Sequence, residues 1–376
     1  MYDYLIVGAG FAGCVIAERI ASQLGKKVLI IDKRNHIAGN AYDYYDKNGI
    51  LIHKYGPHIF HTSSKKVWDY LTNFTEWIPY EHTVLAVVNG KKIPVPFNLN
   101  SLHQVFPKKI AIKYETLLLE KYGYGLKIPI LKLLENKEKD FKVIADFIYQ
   151  NIFYGYTLKQ WGLKPEELEF SVTSRVPVFI SHDNRYFQDT YQGIPEKGYT
   201  ELFNNIIKNK NIEILLNIDY KLNSSSIKFN RLIHTGTIDE YFEYKYGKLP
   251  YRSLHFDFKT YKQEWFQEVA QVNYPNDFEY TRITEFKHFQ SRLLDYRKSK
   301  RTTVAYEYPQ EYILGKNEPY YPIQNEINNE LFNKYKKESE KLKNTFFVGR
   351  LADYKYYNMD QIVGVALMKF EKEIVK

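Results

Sequence analysis

The sequence predicts an α/β protein in which a Rossmann-type domain is interrupted by a helical domain and by a mostly antiparallel β-sheet domain. Three observations support this fold class: a glycine-rich turn after the first apolar run, helical spacing of apolar residues in the middle, and alternating spacing in several later segments. The chain has 376 residues, which is enough for two or three compact domains.

The opening segment has the pattern of a dinucleotide-binding βαβ unit. An apolar run from Tyr4 to Val7 leads into Gly8-Ala9-Gly10-Phe11-Ala12-Gly13, and apolar residues then recur at helical spacing. A second apolar run, Lys27 to Ile31, ends at Asp32, close to the distance expected for an acid that binds a ribose. Strand, turn, helix, second strand and acid are therefore all present.

Each glycine of this unit has a physical task. Gly8 permits the tight turn, Gly10 lets the backbone approach a pyrophosphate, and Gly13 lets the helix pack closely on the strand. The helix that starts at Phe11 and Ala12 would direct its N-terminal N–H groups at the phosphates, and Asp32 would accept hydrogen bonds from the ribose.

The residues beyond Asp32 favour FAD over NAD as the cofactor. Lys33 comes next, and Gly39-Asn40 forms a second glycine-bearing turn of the kind that flavin-binding proteins use near the pyrophosphate. A later apolar strand ends in Gly349-Arg350, and a helix opened by Asp360 comes after it. Its N-terminus would stabilise negative charge on a reduced flavin by about 0.3–1 kcal/mol. No second GxGxxG is preceded by a strand, so no separate NAD(P)H domain is expected.

The spacing of apolar residues differs between segments in the middle of the chain. Apolar residues recur at helical steps after Asp140, whereas Val84–Val88, Asn89-Gly90 and Ile93–Phe97 read as a hairpin with a type I′ turn. Further strands are predicted at 212–216, 232–235, 253–258, 270–273 and 302–308. We therefore predict an FAD-binding domain (residues 1–78, 188–235 and 343–376), a helical domain (100–165) and an antiparallel sheet domain (79–99, 166–187 and 236–342).

Composition excludes several classes. No apolar stretch is long enough to span a bilayer, and the first strand leaves no room for a secretory signal, so a cytoplasmic protein without membrane insertion is expected. The single cysteine, Cys14, cannot form an intrachain disulfide or a cysteine metal cluster, and no metal is expected. The net charge of +9 suits an anionic partner, but the basic residues match no nucleic-acid module.

Several later segments together resemble the prokaryotic UDP-galactopyranose mutases, nearly end to end. The segments are Tyr55 to Thr62 (YGPHIFHT), Gly155 to Gly162 (GYTLKQWG), Asn184 to Phe187 (NRYF), Gln192 to Pro195 (QGIP), Tyr199-Thr200, Tyr251-Arg252, Tyr280 to Glu285 (YTRITE), Tyr320 to Pro322 (YYP) and Val348 to Arg350 (VGR). Their order and spacing carry the resemblance.

The resemblance implies conversion of UDP-galactopyranose to UDP-galactofuranose on reduced FAD with no net redox change. In the family's scheme the flavin N5 attacks the anomeric carbon, UDP leaves, and the sugar opens as a flavin iminium before it recloses as a five-membered ring. It also implies a homodimer, cell-surface polysaccharide synthesis as the setting, and UDP-galactose as the small-molecule substrate.

The resemblance further assigns site residues. Arg175, on a mobile loop, and Arg282 would hold the diphosphate, with Arg252 as a secondary candidate, because guanidinium groups stay protonated and bind phosphate bidentately. His58 and His61 would stabilise the reduced flavin. The remaining substrate contacts would be Phe153, Tyr156, Thr157, Trp161, Tyr186, Tyr320, Tyr321 and Tyr356. The cofactor contacts would be Gly8, Gly10, Phe11, Ala12, Gly13, Asp32, Lys33, Gly39, Asn40, His58, Gly349, Arg350, Tyr356, Asn358 and Met359.

Two alternatives stay open at this point: a flavin oxidoreductase of the amine-oxidase-like superfamily, which shares the scaffold, and a non-catalytic FAD-dependent sensor or assembly protein. Members of the family often carry Asp where this chain has Asn358, which questions an acid role there. The sequence does not decide whether UDP-N-acetylgalactosamine is also a substrate.

Overall fold

The computed structural model describes residues 1–223, 226–289 and 299–375. Its strands in chain order are β1 (Tyr2–Val7), β2 (Val28–Asp32), β3 (Asp43–Tyr45), β4 (Leu51–His53), β5 (Phe60–Thr62), β6 (Trp77–Pro79), β7 (Val84–Val88), β8 (Lys91–Val95), β9 (Lys127–Ile128), β10 (Val178–Phe179), β11 (Tyr191–Pro195), β12 (Ile212–Leu216), β13 (Phe229–His234), β14 (Tyr251–Tyr261), β15 (Gln271–Asn273), β16 (Arg282–Glu285), β17 (Thr302–Glu311), β18 (Tyr321–Pro322) and β19 (Thr345–Phe347).

The α-helices are α1 (Phe11–Gln23), α2 (Lys65–Thr72), α3 (Leu99–Val105), α4 (Lys108–Tyr122), α5 (Ile130–Leu134), α6 (Lys139–Ile148), α7 (Gly155–Trp161), α8 (Phe170–Thr173), α9 (Gly198–Ile206), α10 (Tyr220–Asn223), α11 (Ile238–Tyr241), α12 (Glu326–Ser339) and α13 (Met359–Lys369). A π-helical segment, Tyr149–Tyr154, joins α6 to α7. Within the described ranges no helix is both long and apolar enough to cross a membrane.

The chain divides into two compact units. Unit one comprises Met1–Tyr80, Asp189–Tyr251 and Pro319–Lys376, and unit two comprises Glu81–Gln188 and Arg252–Glu318. The boundaries differ from the three predicted domains, because the helical and sheet segments lie together in unit two. Residues 236–251 and 319–342 lie in unit one because α12 packs on α11 and β19 there.

Unit one contains the predicted Rossmann-type sheet. Its five strands are all parallel, in the order β12-β2-β1-β13-β19. β2 is buried along its whole length, as expected for a parallel strand covered on both faces. α1 and α13 pack against each other, and their apolar residues share one core with β1 and α9. A smaller antiparallel sheet, β5-β11-β6, belongs to the same unit.

Unit two combines helices with a mostly antiparallel sheet. The strands β14, β17, β16, β15, β7 and β8 are neighbours in that order, and only the β15–β7 pair is parallel among these. The predicted hairpin is β7–β8, where Asn89 and Gly90 have the positive φ angles of a type I′ turn. Helices α3 to α6 cover the hairpin and bury a second apolar core.

Candidate active site

The turn after β1 shows backbone approaches that only glycine permits. Gly8 has a φ of +108°, and a Cβ there would lie 2.0 Å from Thr235 Oγ1. A Cβ on Gly13 would lie 2.0 Å from Gly8 O, so α1 starts directly against the turn. Gly39 has a φ of +54°, and its Cβ would lie 2.9 Å from Gly10 Cα. Gly8, Gly10, Gly13 and Gly39 therefore lie close together where β1 ends and α1 begins, and we name these four residues the glycine cradle.

The N-terminus of α1 opens beside the glycine cradle without a side-chain cap. Gly10 is the N-cap residue, and no acidic residue lies in the first turn. Phe11 and Ala12, both predicted to contact the cofactor, are buried, so a contact with the cofactor would come from their main-chain N–H groups. N–H groups at a helix start without a side-chain acceptor suit an anion. The predicted pyrophosphate therefore fits these residues.

Asp32 supports the same turn. Its Oδ2 accepts a hydrogen bond from Ala9 N at 2.8 Å, and its Oδ1 accepts one from Arg34 N at 2.9 Å. Each carboxylate oxygen has a second lone pair, so a ribose hydroxyl can still donate to it. Arg34 also donates to Asn40 Oδ1 at 3.0 Å, which ties the second turn to β2, whereas the Lys33 side chain is exposed. The ribose contact remains a prediction.

A cation–aromatic cluster surrounds Arg350, directly after Gly349. The guanidinium lies 5.4 Å from the ring centroid of Tyr321 and 5.3 Å from that of Tyr356, and these two rings meet edge to face. Arg350 also donates to Tyr357 O at 2.6 Å. Tyr320, adjacent to this cluster, is buried. The structure thus brings together four residues predicted to bind cofactor or substrate.

The start of α13 is formed by Asn358, the position at which the sequence questions an acid role. Asn358 is the N-cap residue and Met359 the first helical residue, one position before the predicted start. The Asn358 main-chain N–H donates to Gln361 Oε1 at 2.9 Å, as in a capping box. Asparagine caps a helix as well as aspartate does. An amide at position 358 is therefore compatible with the helix start and carries no negative charge.

The two predicted histidines have different surroundings. His58 Nδ1 lies 2.8 Å from Gly56 O, and the His58 main-chain N–H donates to His53 Nδ1 at 3.0 Å. Burial lowers the pKa of His53 to about 3, so His53 is neutral and can accept this bond. His61 Nδ1 lies 2.8 Å from Asp189 Oδ2, and Ser63 donates to the other oxygen of Asp189.

Helix α7 in unit two carries three of the predicted substrate contacts. Tyr156 and Thr157 are half-buried, whereas Trp161 at the end of the helix is buried. Phe153, in the preceding π-helical segment, belongs to the apolar core of the unit, and Tyr186 packs against the same core. Core packing accounts for the position of Phe153, so its uridine contact stays a prediction.

The three predicted phosphate-binding arginines also lie in unit two. Arg282 Nε donates to Glu307 Oε2 at 2.8 Å, and the side chain of Glu307 is 2% exposed. Arg252 donates to the main-chain oxygens of Gln160 at 2.9 Å and Lys159 at 3.1 Å, so it caps the C-terminus of α7. Arg175 is half-buried in a turn after α8. Arg282 and Arg252 therefore make protein contacts that a phosphate would have to share.

Comparison with known proteins decides the family. A family model described as UDP-galactopyranose mutase matches residues 151–356, and a model of an NAD(P)-binding Rossmann-like domain matches residues 6–74. A curated protein of Klebsiella pneumoniae, described as a probable UDP-galactopyranose mutase, is 38% identical over 97% of this chain and 93% of its own length. This chain belongs to the UDP-galactopyranose mutase family.

Two further known mutases resemble this chain. The dTDP-fucopyranose mutase of Escherichia coli is 33% identical over 98% of this chain and 97% of its own length. A crystal structure of reduced UDP-galactopyranose mutase superposes with a TM-score of 0.72 over 100% of this chain and 94% of that chain, at 16% identity. The structural likeness shows the shared fold, and the sequence relatives favour a mutase over the oxidoreductase alternative.

Sequence reasoning about this mutase-family chain missed three charged side chains beside the predicted site residues. Asp189 pairs with His61, Glu307 pairs with Arg282, and Lys159 contacts main-chain oxygens of residues 274–280. Only Lys159 lies within a motif that carried the resemblance. The other two lie at sequence separations of 128 and 25 residues from their partners, where no local pattern points to them.

Proposed function

We propose that this protein converts UDP-galactopyranose to UDP-galactofuranose, with reduced FAD held in the glycine cradle. The observation that carries the proposal is the combination of family membership with closely packed glycines and a helix start without a side-chain cap, which suit a pyrophosphate. When bound, the reduced flavin supplies a nucleophilic nitrogen for the anomeric carbon.

The residues of this chain would then bind, orient and balance charge. The N–H groups at the start of α1 would hold the cofactor phosphates, and Asp32 the ribose. Arg282 and Arg175 would hold the substrate diphosphate, whose negative charge increases as the bond to the sugar breaks. His61, oriented by Asp189, would keep one fixed ring position near the reduced flavin.

A second candidate substrate is dTDP-fucopyranose, because a mutase named for it matches this chain nearly end to end. That sugar has a methyl group where galactose has a hydroxymethyl group. A single hydroxyl contact in the sugar pocket would separate the two, since a site built to hydrogen-bond a hydroxyl rejects an analogue that lacks it.

Dithionite-reduced protein should be incubated with UDP-galactofuranose, its N-acetylated counterpart and dTDP-fucofuranose, and the products separated. We expect UDP-galactopyranose to form in the absence of oxygen, and oxidised protein to be inactive. Oxygen consumed in step with the sugar in a separate aerobic assay without dithionite would indicate an oxidase instead. Flavin binding with no turnover of any of the three would indicate the non-catalytic alternative.

Arg175→Ala tests the proposed diphosphate contact, because it removes the guanidinium of Arg175 and leaves the pair of Arg282 and Glu307 intact. We expect most turnover to be lost while flavin absorbance is retained. Lys142→Met, an exposed position on α6 that removes the same charge, is the control and should keep normal turnover. Normal turnover in Arg175→Ala would remove this residue from the proposed site.

A further inference from the structure

The ammonium group of Lys159 is surrounded by main-chain oxygens from one segment. Lys159 lies on α7, and its Nζ donates to Tyr274 O, to Phe278 O at 2.9 Å, and at 3.3 Å to both Asn276 O and Tyr280 O. An ammonium has three N–H donors, so four acceptors occupy it completely. We name these four oxygens the carbonyl cage.

The segment that forms the carbonyl cage also contacts the beginning of the same helix. A Cβ on Gly155 would lie 2.6 Å from both Pro275 O and Asn276 Oδ1, so only glycine allows this approach. Asn276 Nδ2 donates to Asn151 O at 3.0 Å, in the π-helical segment before α7. Residues 274–280 therefore contact α7 at its start and, through Lys159, in its middle.

The two elements joined in this way carry different predicted substrate contacts. On one side, α7 carries Tyr156, Thr157 and Trp161. On the other side, the segment ends at Tyr280, two residues before Arg282 at the start of β16. Arg252 fixes the far end of α7 through its bonds to the oxygens of Lys159 and Gln160.

We propose that Lys159 is a positioning residue of the substrate site, whose ammonium in the carbonyl cage sets the distance between α7 and the segment that leads to Arg282. The proposal rests on the proposed function, because these elements carry the predicted nucleotide-sugar contacts. A long lysine side chain would ordinarily extend into solvent, whereas this one is half-buried with its charge directed at carbonyl dipoles.

Titration of Lys159 should therefore affect binding at moderately alkaline pH. Burial lowers the pKa of Lys159 to about 8, and the Asp277 carboxylate opposes that shift. A neutral amine presents a lone pair to the carbonyl oxygens and loses one donor, so the cage contact weakens as pH rises through about 8. Burial raises the pKa of the neighbouring Tyr274 to about 12 and that of Tyr280 in the same direction, and Arg252 stays protonated.

The test compares Lys159→Met with Lys142→Met, which removes the same charge from an exposed position. We expect kcat/KM for UDP-galactofuranose to fall by up to about a hundredfold in Lys159→Met, because a misplacement of about 1 Å far from the reacting atoms can cost that much in rate. Much of this loss should appear as a higher KM and a higher Kd of UDP, since the displaced groups are the predicted nucleotide contacts. Flavin content should stay near that of the wild type. Unchanged KM and UDP affinity would overturn the proposal.

Chemical rescue separates positioning from general stability. Added ethylammonium ions should restore part of the UDP affinity of Lys159→Ala, whereas tetramethylammonium, which has no N–H donor, should not. Equal effects of the two ions would contradict the cage mechanism. In the wild type kcat/KM should fall above about pH 8, and Lys159→Arg should move that fall to higher pH. An unmoved pH profile in Lys159→Arg would also overturn the proposal, even if the Met variant fails to fold.

Wild-type turnover is measured first, so that failure of the proposed function is recognised separately. Absence of turnover in the wild type would refute the mutase activity. Hydrogen exchange at neutral pH in residues 155–161 and 274–280 measures the cage contact itself in either case. We expect faster exchange there in Lys159→Met and not in Lys142→Met; equal exchange would overturn the positioning role.

Discussion

Replacing Gly10 by alanine tests the glycine cradle, because the protein without cofactor has room for the added methyl group, whereas a bound pyrophosphate would contact it. Gly10 has φ −89° and ψ −172°, which any residue adopts. The nearest protein atom to an added Cβ is Gly39 Cα at 3.7 Å, an ordinary van der Waals distance. Alanine is a poorer N-cap than glycine, but it also restricts the unfolded chain, so we expect the unfolding free energy to change by less than about 1 kcal/mol.

The same methyl group should weaken cofactor binding strongly. A pyrophosphate lying against Gly10 would meet the new Cβ, and overpacking of this kind costs about 1–3 kcal/mol. Since about 1.4 kcal/mol corresponds to a tenfold change, the Kd of FAD should rise roughly 5- to 150-fold. Flavin fluorescence quenching on titration of apoprotein measures that Kd, and thermal unfolding of the apoprotein measures stability.

Two further glycine variants complete the experiment. Gly8→Ala should destabilise the apoprotein itself, because its Cβ would lie 2.0 Å from Thr235 Oγ1 at a φ of +108°. Gly364→Ala, inside α13 and 3.6 Å from Val67 Cγ2, should stabilise the protein by up to about 1 kcal/mol and leave the Kd of FAD unchanged. Wild-type FAD affinity in Gly10→Ala would refute the placement of the pyrophosphate.

Three further predictions concern charge. Asp32→Ala should weaken FAD retention. It should also lower the unfolding free energy by about 1–3 kcal/mol, because two main-chain N–H groups lose their acceptor. Unchanged flavin stoichiometry in purified protein would contradict the ribose role. Arg282→Ala should lower the unfolding free energy by about 3 kcal/mol, measured by urea unfolding, because it leaves Glu307 buried without its partner. The double variant Arg282→Ala with Glu307→Gln should recover stability but not turnover. Burial lowers the pKa of His53 to about 3 and that of His234 to about 4, so each histidine takes up a proton on unfolding below about pH 6.5. The unfolding free energy should therefore fall by about 2 kcal/mol per histidine by pH 5. A His234→Phe variant whose unfolding free energy depends on pH as steeply as that of the wild type would contradict this.

Local patterns predicted the elements whose structure depends on neighbouring residues. The hairpin at Asn89-Gly90 was recognisable because a type I′ turn needs positive φ at both positions. The first βαβ unit was recognisable because Gly8 and Gly13 meet within a few residues of sequence. By contrast, the short strand at Arg282–Glu285 was not predicted, since its four residues alternate too briefly and its pairing with β15 and β17 is set by distant segments.

The candidate site was predictable to the extent that motifs lie in contiguous sequence. The resemblance assigned Arg350, Tyr321 and Tyr356 to the site one by one, and the structure brings the two rings to Arg350 from either side in sequence. The supporting partners could not be predicted in the same way. Asp189 lies 128 residues from His61, and its role depends on β5 and β11 being paired in one particular register. Such contacts come from tertiary packing, which a single sequence does not reveal.

The pairing of Arg282 with Glu307 bears on how a mutase can release and recapture its nucleotide. A guanidinium buried without a counter-ion would bind a diphosphate tightly, but the free protein would have to keep an uncompensated charge. With Glu307 2.8 Å away, the charge of Arg282 is balanced before substrate arrives, and under the proposed assignment a phosphate oxygen would bind only the donors that remain. We therefore expect the substrate to be held by several moderate contacts rather than by one strong ion pair. That arrangement suits a reaction in which the leaving nucleotide has to return to the same sugar, because neither the separated nor the rejoined state is overly stabilised.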